Sequence, residues 1–409
     1  MDLIIITNGP GELASWVKST VSAVKNKNPH IRISIFLAPC PFSSGQEERV
    51  AREIPGVDIV LNPRQFIEFL ISGKTKEFIS SREGIVIFLG GDPFHAVMVA
   101  KRTGLPAIAY TVKASSWSNY FRYCLVPDEY TGNKLIRAGT KPETIKVVGN
   151  LSLECVKLFH AREEAINLWG LSKEILTIGL MPGSRPVVLK HSLAYFMKVS
   201  EEVYSSMETQ FILALSPYIT VDILKKSLSH TKGLMLEGTS GEVQEDEKGI
   251  YIKTEGGIKI RVIQNKQYDV MNCCDLLLTL PGTINTEAGS LGIPMVICYS
   301  YNKPEDIPVG GMPSLLGKIP ITGPFLKYII WKMSQKEKFF SLPNRMAGEE
   351  IVPEIRVLSR AKEVSSIVLE LLQDIKKRQE MSEKLKNLFM REGAGDRVAD
   401  IILEAINNR

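Results

Sequence analysis

The sequence predicts an α/β protein built from two doubly wound, mostly parallel sheets. Three observations carry this. Short, continuously apolar runs alternate with helical stretches, the signature of strands buried on both faces and joined by crossover helices. The alternation pauses and restarts near Ile175. The chain has 409 residues, more than one core fills.

Taken in order, the first half offers strands at 3–7, 31–37, 57–61, 84–90, 106–112, 122–127 and 144–150, with helices over Glu12–Lys27 and Phe94–Thr103. The second half offers strands at 175–181, 210–216, 233–238, 274–280 and 294–300. Residues 240–265 read as an added hairpin, and 351–409 as charged helix. The expected organisation is 1–155, an acceptor-side Rossmann-like domain; 156–345, a nucleotide-sugar domain; and 346–409, C-terminal helices that pack back or swap between subunits.

Composition narrows the function. Apolar residues make up 44% and charged ones 23%, as in ordinary globular proteins. The net charge of +5 suits an anionic ligand or surface but is no nucleic-acid footprint. The five histidines fall at no metal-ligand spacing. The six cysteines (40, 124, 155, 273, 274 and 298) are scattered, without a CxxC, and read as reduced thiols in a cytosolic protein. MDLIIIT lacks a basic leader and reads as a first strand. No apolar run reaches membrane-spanning length.

Ligands of doubly wound sheets bind at the C-terminal strand ends, so breaks there weigh most. Four qualify. TNGPGE (7–12) places Asn8, Gly9, Gly11 and Glu12 between strand and helix, as an anion loop or a tight turn. It is not GxGxxG, which argues against a nicotinamide site. FLGGDPFH (88–95) places Asp92 just past a strand, as a general base or a helix cap. MPGSRP (181–186) offers Gly183, Ser184 and the Arg185 fork to a phosphate, or ties Arg185 to a local carboxylate. LPGTINTE (280–287) puts Gly282 and Thr283 at a helix start, with Glu287 one turn in on the same face, suited to ribose hydroxyls. With no Walker lysine, the last two suggest a nucleotide diphosphate rather than ATP chemistry.

These loops resemble those of GT-B glycosyltransferases. FFSLPNRMAGEEIVPEI (339–355) is more pointed: it resembles the SLPN segment of the lipid-A-disaccharide synthase family. GGDPF resembles that family's GIDxPDF, and the likeness spans most of the chain. It implies a GT-B fold, two Rossmann-like domains facing a cleft. It implies Asp92 as catalytic base, Arg185 as phosphate ligand, Thr283, Glu287 and Asn344 on the donor side, and Gly183, Ser184 and Gly282 as loop positions. The implied reaction moves a sugar from a UDP-sugar, of the UDP-2,3-diacylglucosamine kind, to a lipid or sugar-phosphate acceptor such as lipid X, with UDP released. The implied setting is a homodimer in the cytoplasm, peripheral on the inner membrane, with no metal, cofactor or nucleic acid. The departures sit in the acceptor half. The family's G-E-x-S-G-D first loop is replaced by Asn8-Gly9-Pro10-Gly11-Glu12, and the second Asp of DxPDF is missing.

Two other readings fit the same scaffold: a UDP-sugar 2-epimerase, which needs acidic and His residues around the sugar, and a nucleotide-sugar-binding protein without catalysis. Phe66, Phe69 and Leu70, beside Lys74 and Lys76, form an apolar stripe that either meets a membrane or packs on the core. Among the tryptophans Trp117, on a strand-end loop, is best placed to stack a sugar.

Overall fold

A computed structural model describes residues 1–39, 45–228, 237–299, 338–356, 360–389 and 393–407. Residues 233–236 of one expected strand, and Cys40, lie outside them. The chain divides into two compact units. Among the described residues the first holds 1–155 and 393–407, and the second 156–299, 338–356 and 360–389. The expected C-terminal segment 346–409 is therefore shared between the units.

The first unit is a seven-stranded, all-parallel sheet. Its strands are β1 (Asp2–Thr7), β2 (Arg32–Leu37), β3 (Ile59–Leu61), β4 (Gly84–Phe88), β5 (Ala107–Tyr110), β6 (Tyr123–Val126) and β7 (Ile145–Val147), in the order β3-β2-β1-β4-β5-β6-β7. Its helices are α1 (Pro10–Glu12), α2 (Lys18–Lys27), α3 (Glu47–Arg52), α4 (Pro63–Ser72), α5 (Pro93–Thr103), α6 (Glu129–Arg137) and α7 (Leu151–Glu154). A π-helical turn, Leu13–Val17, joins α1 to α2, so one continuous helix starts earlier than the pattern predicted.

The second unit is an eight-stranded sheet. Its strands are β8 (Thr177–Met181), β9 (Gln210–Leu215), β10 (Gly241–Asp246), β11 (Gly249–Thr254), β12 (Lys259–Gln264), β13 (Leu276–Thr279), β14 (Met295–Tyr299) and β15 (Glu354–Arg356), in the order β10-β11-β12-β9-β8-β13-β14-β15. Only the β10–β11 and β11–β12 pairs are antiparallel, so the added hairpin forms the edge. β15 falls where the sequence predicted helix; it pairs with β14 in a parallel register that local pattern does not reveal. The helices are α8 (Arg162–Leu168), α9 (Pro186–Tyr204), α10 (Val221–Leu228), α11 (Gln267–Cys273), α12 (Thr283–Ser290), α13 (Leu342–Ala347), α14 (Ala361–Gln373) and α15 (Ile375–Leu388). The last helix, α16 (Ala394–Asn407), rejoins the first unit and packs on α2.

The first core decides between the two readings of α4. Phe66 and Phe69 on α4 are fully buried, and Leu70 packs partly against the same core. Phe69 and Phe78 meet Phe36 edge to face at 5.1 and 5.0 Å. A phenylalanine buried this way contributes about 1.5–3 kcal/mol, so of the two readings of the stripe the core one holds. The exposed apolar residues of this region are Ile67, Ile71 and Ile79 instead. Trp16 is also core: it lies edge-on to Tyr110 at 5.0 Å, and its indole N–H donates to Ser152. Among the described residues the five cysteines are free thiols, and no His/Cys/Asp/Glu group could hold a metal. No described helix is long and apolar enough to cross a membrane.

Candidate functional site

Each unit carries one candidate site, at its topological switch point. In the first sheet the order reverses between neighbours β1 and β4. Loops leaving such a pair run to opposite sides and open a crevice at the carboxyl ends. The TNGPGE loop leaves β1 and the GGD loop leaves β4. The two are tied together: Leu89 N–H donates to the Ile6 carbonyl at 2.8 Å, and the Thr7 hydroxyl donates to the Leu89 carbonyl at 3.1 Å.

Asn8 and Glu12 lie directly on the Gly90–Gly91 backbone. A Cβ on Gly91 would come within 2.8 Å of the Asn8 amide carbon, and one on Gly90 within 2.8 Å of Glu12 Cγ. Both glycines also hold positive φ, +124° and +100°, which only glycine adopts without strain. Gly9 is pressed against the Glu12 carboxylate, and the Gly11 carbonyl accepts from Ser15 within the π-helical turn. The fold thus gathers Asn8, Gly9, Gly11 and Glu12 against the glycine pair that leads into Asp92. Asp92 is half-buried, and its Oδ1 accepts from Phe94 N–H at 3.0 Å, the helix-cap geometry for α5. A capped carboxylate is fixed in direction, which suits a base as well as a cap.

Sequence reasoning passed over His95, three residues on. Its ring lies 5.5 Å from Phe66 and 5.9 Å from Phe94. Its Nδ1 is buried without a hydrogen-bond partner among the described residues. Burial pushes its pKa down, and the neighbouring Asp92 charge only partly opposes that.

In the second sheet the order reverses between β8 and β13. Met181 and Thr279 are register partners, so the PGSR and PGT loops leave the sheet side by side. Gly183 has φ +104°, and a Cβ there would meet Val188 Cγ1 at 2.8 Å and Leu280 Cδ1 at 3.6 Å, placing the two loops in contact. The Ser192 hydroxyl on α9 holds the first loop through the Pro182 carbonyl at 2.6 Å. Ser184 and Arg185 are half-buried, and Arg185 is the N-cap residue of α9.

Gly282 is extended and open, with no atom within 4 Å of a built Cβ. Its N–H, expected to be available to a phosphate, is taken by Asn285 Oδ1 at 2.9 Å. The Asn285 amide also donates to the Thr279 hydroxyl, bracing the loop. The N–H groups at the α12 start that remain for a ligand are those of Thr283 and Ile284. Glu287 is buried at 5% exposure, with Tyr268 of α11 as its side-chain partner. Burial pushes its pKa up to about 7, against the smaller lowering by the Tyr268 hydrogen bond.

Asn344 departs from its expected donor-side role. Its amide donates to the Val352 carbonyl and the Glu354 carboxylate at 2.8 and 2.9 Å, and its oxygen accepts from Ile351 and Val352 N–H at 2.7 and 3.0 Å. An asparagine has two donor hydrogens and two lone pairs, so this side chain is saturated and has nothing left for UDP. It braces the SLPN turn, with Glu354 accepting from Phe340 and Ser341 N–H.

No protein-family model matches the chain. Among curated proteins it is similar to the lipid-A-disaccharide synthase of Nitrosococcus oceani, 26% identical over 253 residues, and to that of Geobacter metallireducens, 25% identical over 277 residues. These matches take in 61% and 65% of this chain and 53% and 58% of the relatives, so the chain spans little more than half their length. Among solved structures it is similar to UDP-GlcNAc 2-epimerase from Neisseria meningitidis bound to UDP-GlcNAc (TM-score 0.54, 13% identity, 100% of both chains). It is likewise similar to the UDP-GlcNAc 2-epimerase from Methanocaldococcus jannaschii (TM-score 0.53, 17% identity, 99% of this chain and 100% of that one). These structural likenesses establish the expected two-sheet α/β fold. The sequence likenesses, together with the switch-point loops, make the chain a divergent relative of the lipid-A-disaccharide synthases.

Proposed function

We propose that the chain is a glycosyltransferase that moves a sugar from a UDP-sugar, of the UDP-2,3-diacylglucosamine kind, to a hydroxyl of a lipid-linked or sugar-phosphate acceptor. The observation that carries this reading is the pair of loops at the second switch point, where PGSR and PGT meet beside a buried carboxylate. Arg185 and the Thr283 and Ile284 N–H groups hold the diphosphate, aided by the positive end of the α12 dipole. Glu287 takes the ribose hydroxyls when ionised. Asp92 accepts the proton of the acceptor hydroxyl as that oxygen attacks the anomeric carbon, and the bond to the UDP oxygen breaks.

The names of the curated relatives support this reading. So does the gathering of Asn8 and Glu12 at the loop that carries Asp92. Where the chain meets a membrane surface, Ile67, Ile71 and Ile79 beside Lys74 and Lys76 supply the contact.

The test is calorimetric titration of UDP, without added metal, into wild type and Arg185→Ala. Binding that the substitution weakens by more than tenfold, roughly 1.4 kcal/mol, supports the donor site; no binding to wild type sinks it. The solved neighbours favour a second reading, a 2-epimerase. An epimerase interconverts UDP-GlcNAc with no acceptor present, whereas a transferase leaves it intact.

A further inference from the structure

The second unit buries a phenol against its key carboxylate. Tyr268 on α11 is buried, and its side chain hydrogen-bonds the equally buried Glu287 on α12. A carboxylate has lone pairs for several donors. A phenol that takes one of them in a dry site fixes the direction of the carboxylate and leaves the remaining lone pairs for a ligand.

The helix that carries Tyr268 is pinned at both ends. At its start the fully buried Asp269 accepts from the Phe159 and His160 N–H groups at 2.8 and 3.3 Å, and its other oxygen meets His160 Nδ1 at 2.9 Å. At its end Arg162 donates to the Asn272 and Cys274 carbonyls at 2.8 and 3.1 Å and to Asp275 at 2.9 Å. Asp275 in turn accepts from Thr177 N–H at 2.8 Å, which ties this end to β8. The helix has only seven residues, and it cannot turn or slide without breaking these bonds. Tyr268 therefore meets Glu287 from a fixed direction.

The helices packed against α12 are α11, α13 and α15. Among their described charged groups, Asp269 is committed to residues 159–160, while Arg345 on α13 and Glu383, Lys384 and Lys386 on α15 are exposed. Tyr268 is the neighbour that acts on the Glu287 carboxyl, in opposition to burial.

We propose that Tyr268 is the positioning residue of the donor site: its phenol holds one side of the Glu287 carboxylate, so that the other side receives the ribose hydroxyls of the UDP-sugar. The proposal rests on the transferase reading, through its assignment of Glu287 to ribose. Tyr268 acts through Glu287 and not on the substrate. Its bond also favours the ionised carboxylate, the form that accepts from hydroxyls.

The experiment is calorimetric titration of UDP and of 2′,3′-dideoxy-UDP into the full chain, between about pH 6 and 9. The ratio of the two affinities reads hydroxyl recognition alone. Wild type is expected to prefer UDP about tenfold or more at pH 8, the strength of hydrogen bonds to a charged group. Tyr268→Phe cuts the preference to about threefold or less at pH 7, because loss of the bond favours the neutral acid, and regains most of it by about pH 9. Replacing Tyr268 with 3-fluorotyrosine keeps the shape but makes a stronger donor, and moves the onset of the preference to lower pH. In a Glu287→Gln background, Tyr268→Phe changes the ratio by less than about twofold. A preference in Tyr268→Phe that matches wild type at every pH would reduce Tyr268 to core packing and overturn the proposal. A loss of equal size at every pH would make its role merely structural, and would overturn it too. Wild type that binds UDP and the dideoxy compound equally would take Glu287, and the proposal with it, out of the ribose site while leaving the diphosphate loops standing. Wild type that binds neither would remove the transferase reading itself.

Discussion

The two switch points are built on one plan and differ in what they bury. At the first, between β1 and β4, an amide, two carboxylates and a glycine pair meet, and the decisive carboxylate, Asp92, is only half-buried. At the second, between β8 and β13, the decisive carboxylate, Glu287, is almost wholly buried with a tyrosine for partner. A general base must reach a proton, so it stays near the surface of its crevice. A carboxylate that only holds hydroxyls gains strength from a dry environment, at the cost of a raised pKa. On the proposed function, the first switch point is chemistry and the second is binding.

The comparison breaks most sharply at Asp92. Asp92→Asn keeps the cap to Phe94 but removes the base. Transfer falls by about 10²–10⁴-fold, measured as UDP release, while UDP affinity is unchanged. An Asp92→Asn enzyme that still transfers would make Asp92 a cap alone. Arg185→Ala acts the other way round: UDP affinity drops more than tenfold, about 1.4 kcal/mol or more, as titration will show, and the first switch point is left intact.

Smaller effects sharpen the contrast. On the proposed function Glu287 binds ribose in its ionised form, so wild-type UDP affinity is expected to weaken as pH falls through about 7; Glu287→Gln is weaker at high pH and flat across the range. The stability sign is opposite. The folded-state pKa is raised above the ordinary carboxylate value, so the group's contribution is full below that value and is lost as pH rises through about 7. Glu287→Gln removes this slope, which melting curves between pH 5 and 8 resolve. Next come the loop glycines of the donor site. Gly183→Ala must bear φ +104° and the contact with Val188, costing about 1–3 kcal/mol of stability. Gly282→Ala is extended with open space around it and stays within about 0.5 kcal/mol of wild type in melting. A Gly282→Ala protein as unstable as Gly183→Ala would mean that the second loop is closed around Gly282 rather than open.

What the sequence made legible follows from how local each cause is. The four loops showed because Gly and Pro interrupt apolar runs, and a break between a strand and a helix is a local event. The doubly wound sheets showed for the same reason. The orientation of α4 did not. Phe66, Ile67, Phe69, Leu70 and Ile71 make the helix apolar on several sides, and only the edge-to-face match with Phe36 and Phe78 selects the buried one. β15 stayed hidden because a three-residue strand is defined by its neighbour β14. Asn344 was read by resemblance as a ligand residue, and its saturation by Val352, Ile351 and Glu354 is a tertiary fact. Asn285 left a usable signal: an amide three residues past Gly282, able to reach back to that N–H. Tyr268 and His95 left none.

Helix α16 bears on how the chain is made. It follows the whole described second unit in sequence, yet it completes the first unit: Val398 and Ile402 are fully buried there, Ala394 N–H is held by the Glu154 carboxylate at 2.9 Å, and Arg397 donates to the Val148 carbonyl. On the ribosome the first sheet must therefore wait, with the α2 surface uncovered, while the whole second unit is synthesised and free to fold. The half proposed to perform catalysis can thus be completed only after the other half has been synthesised.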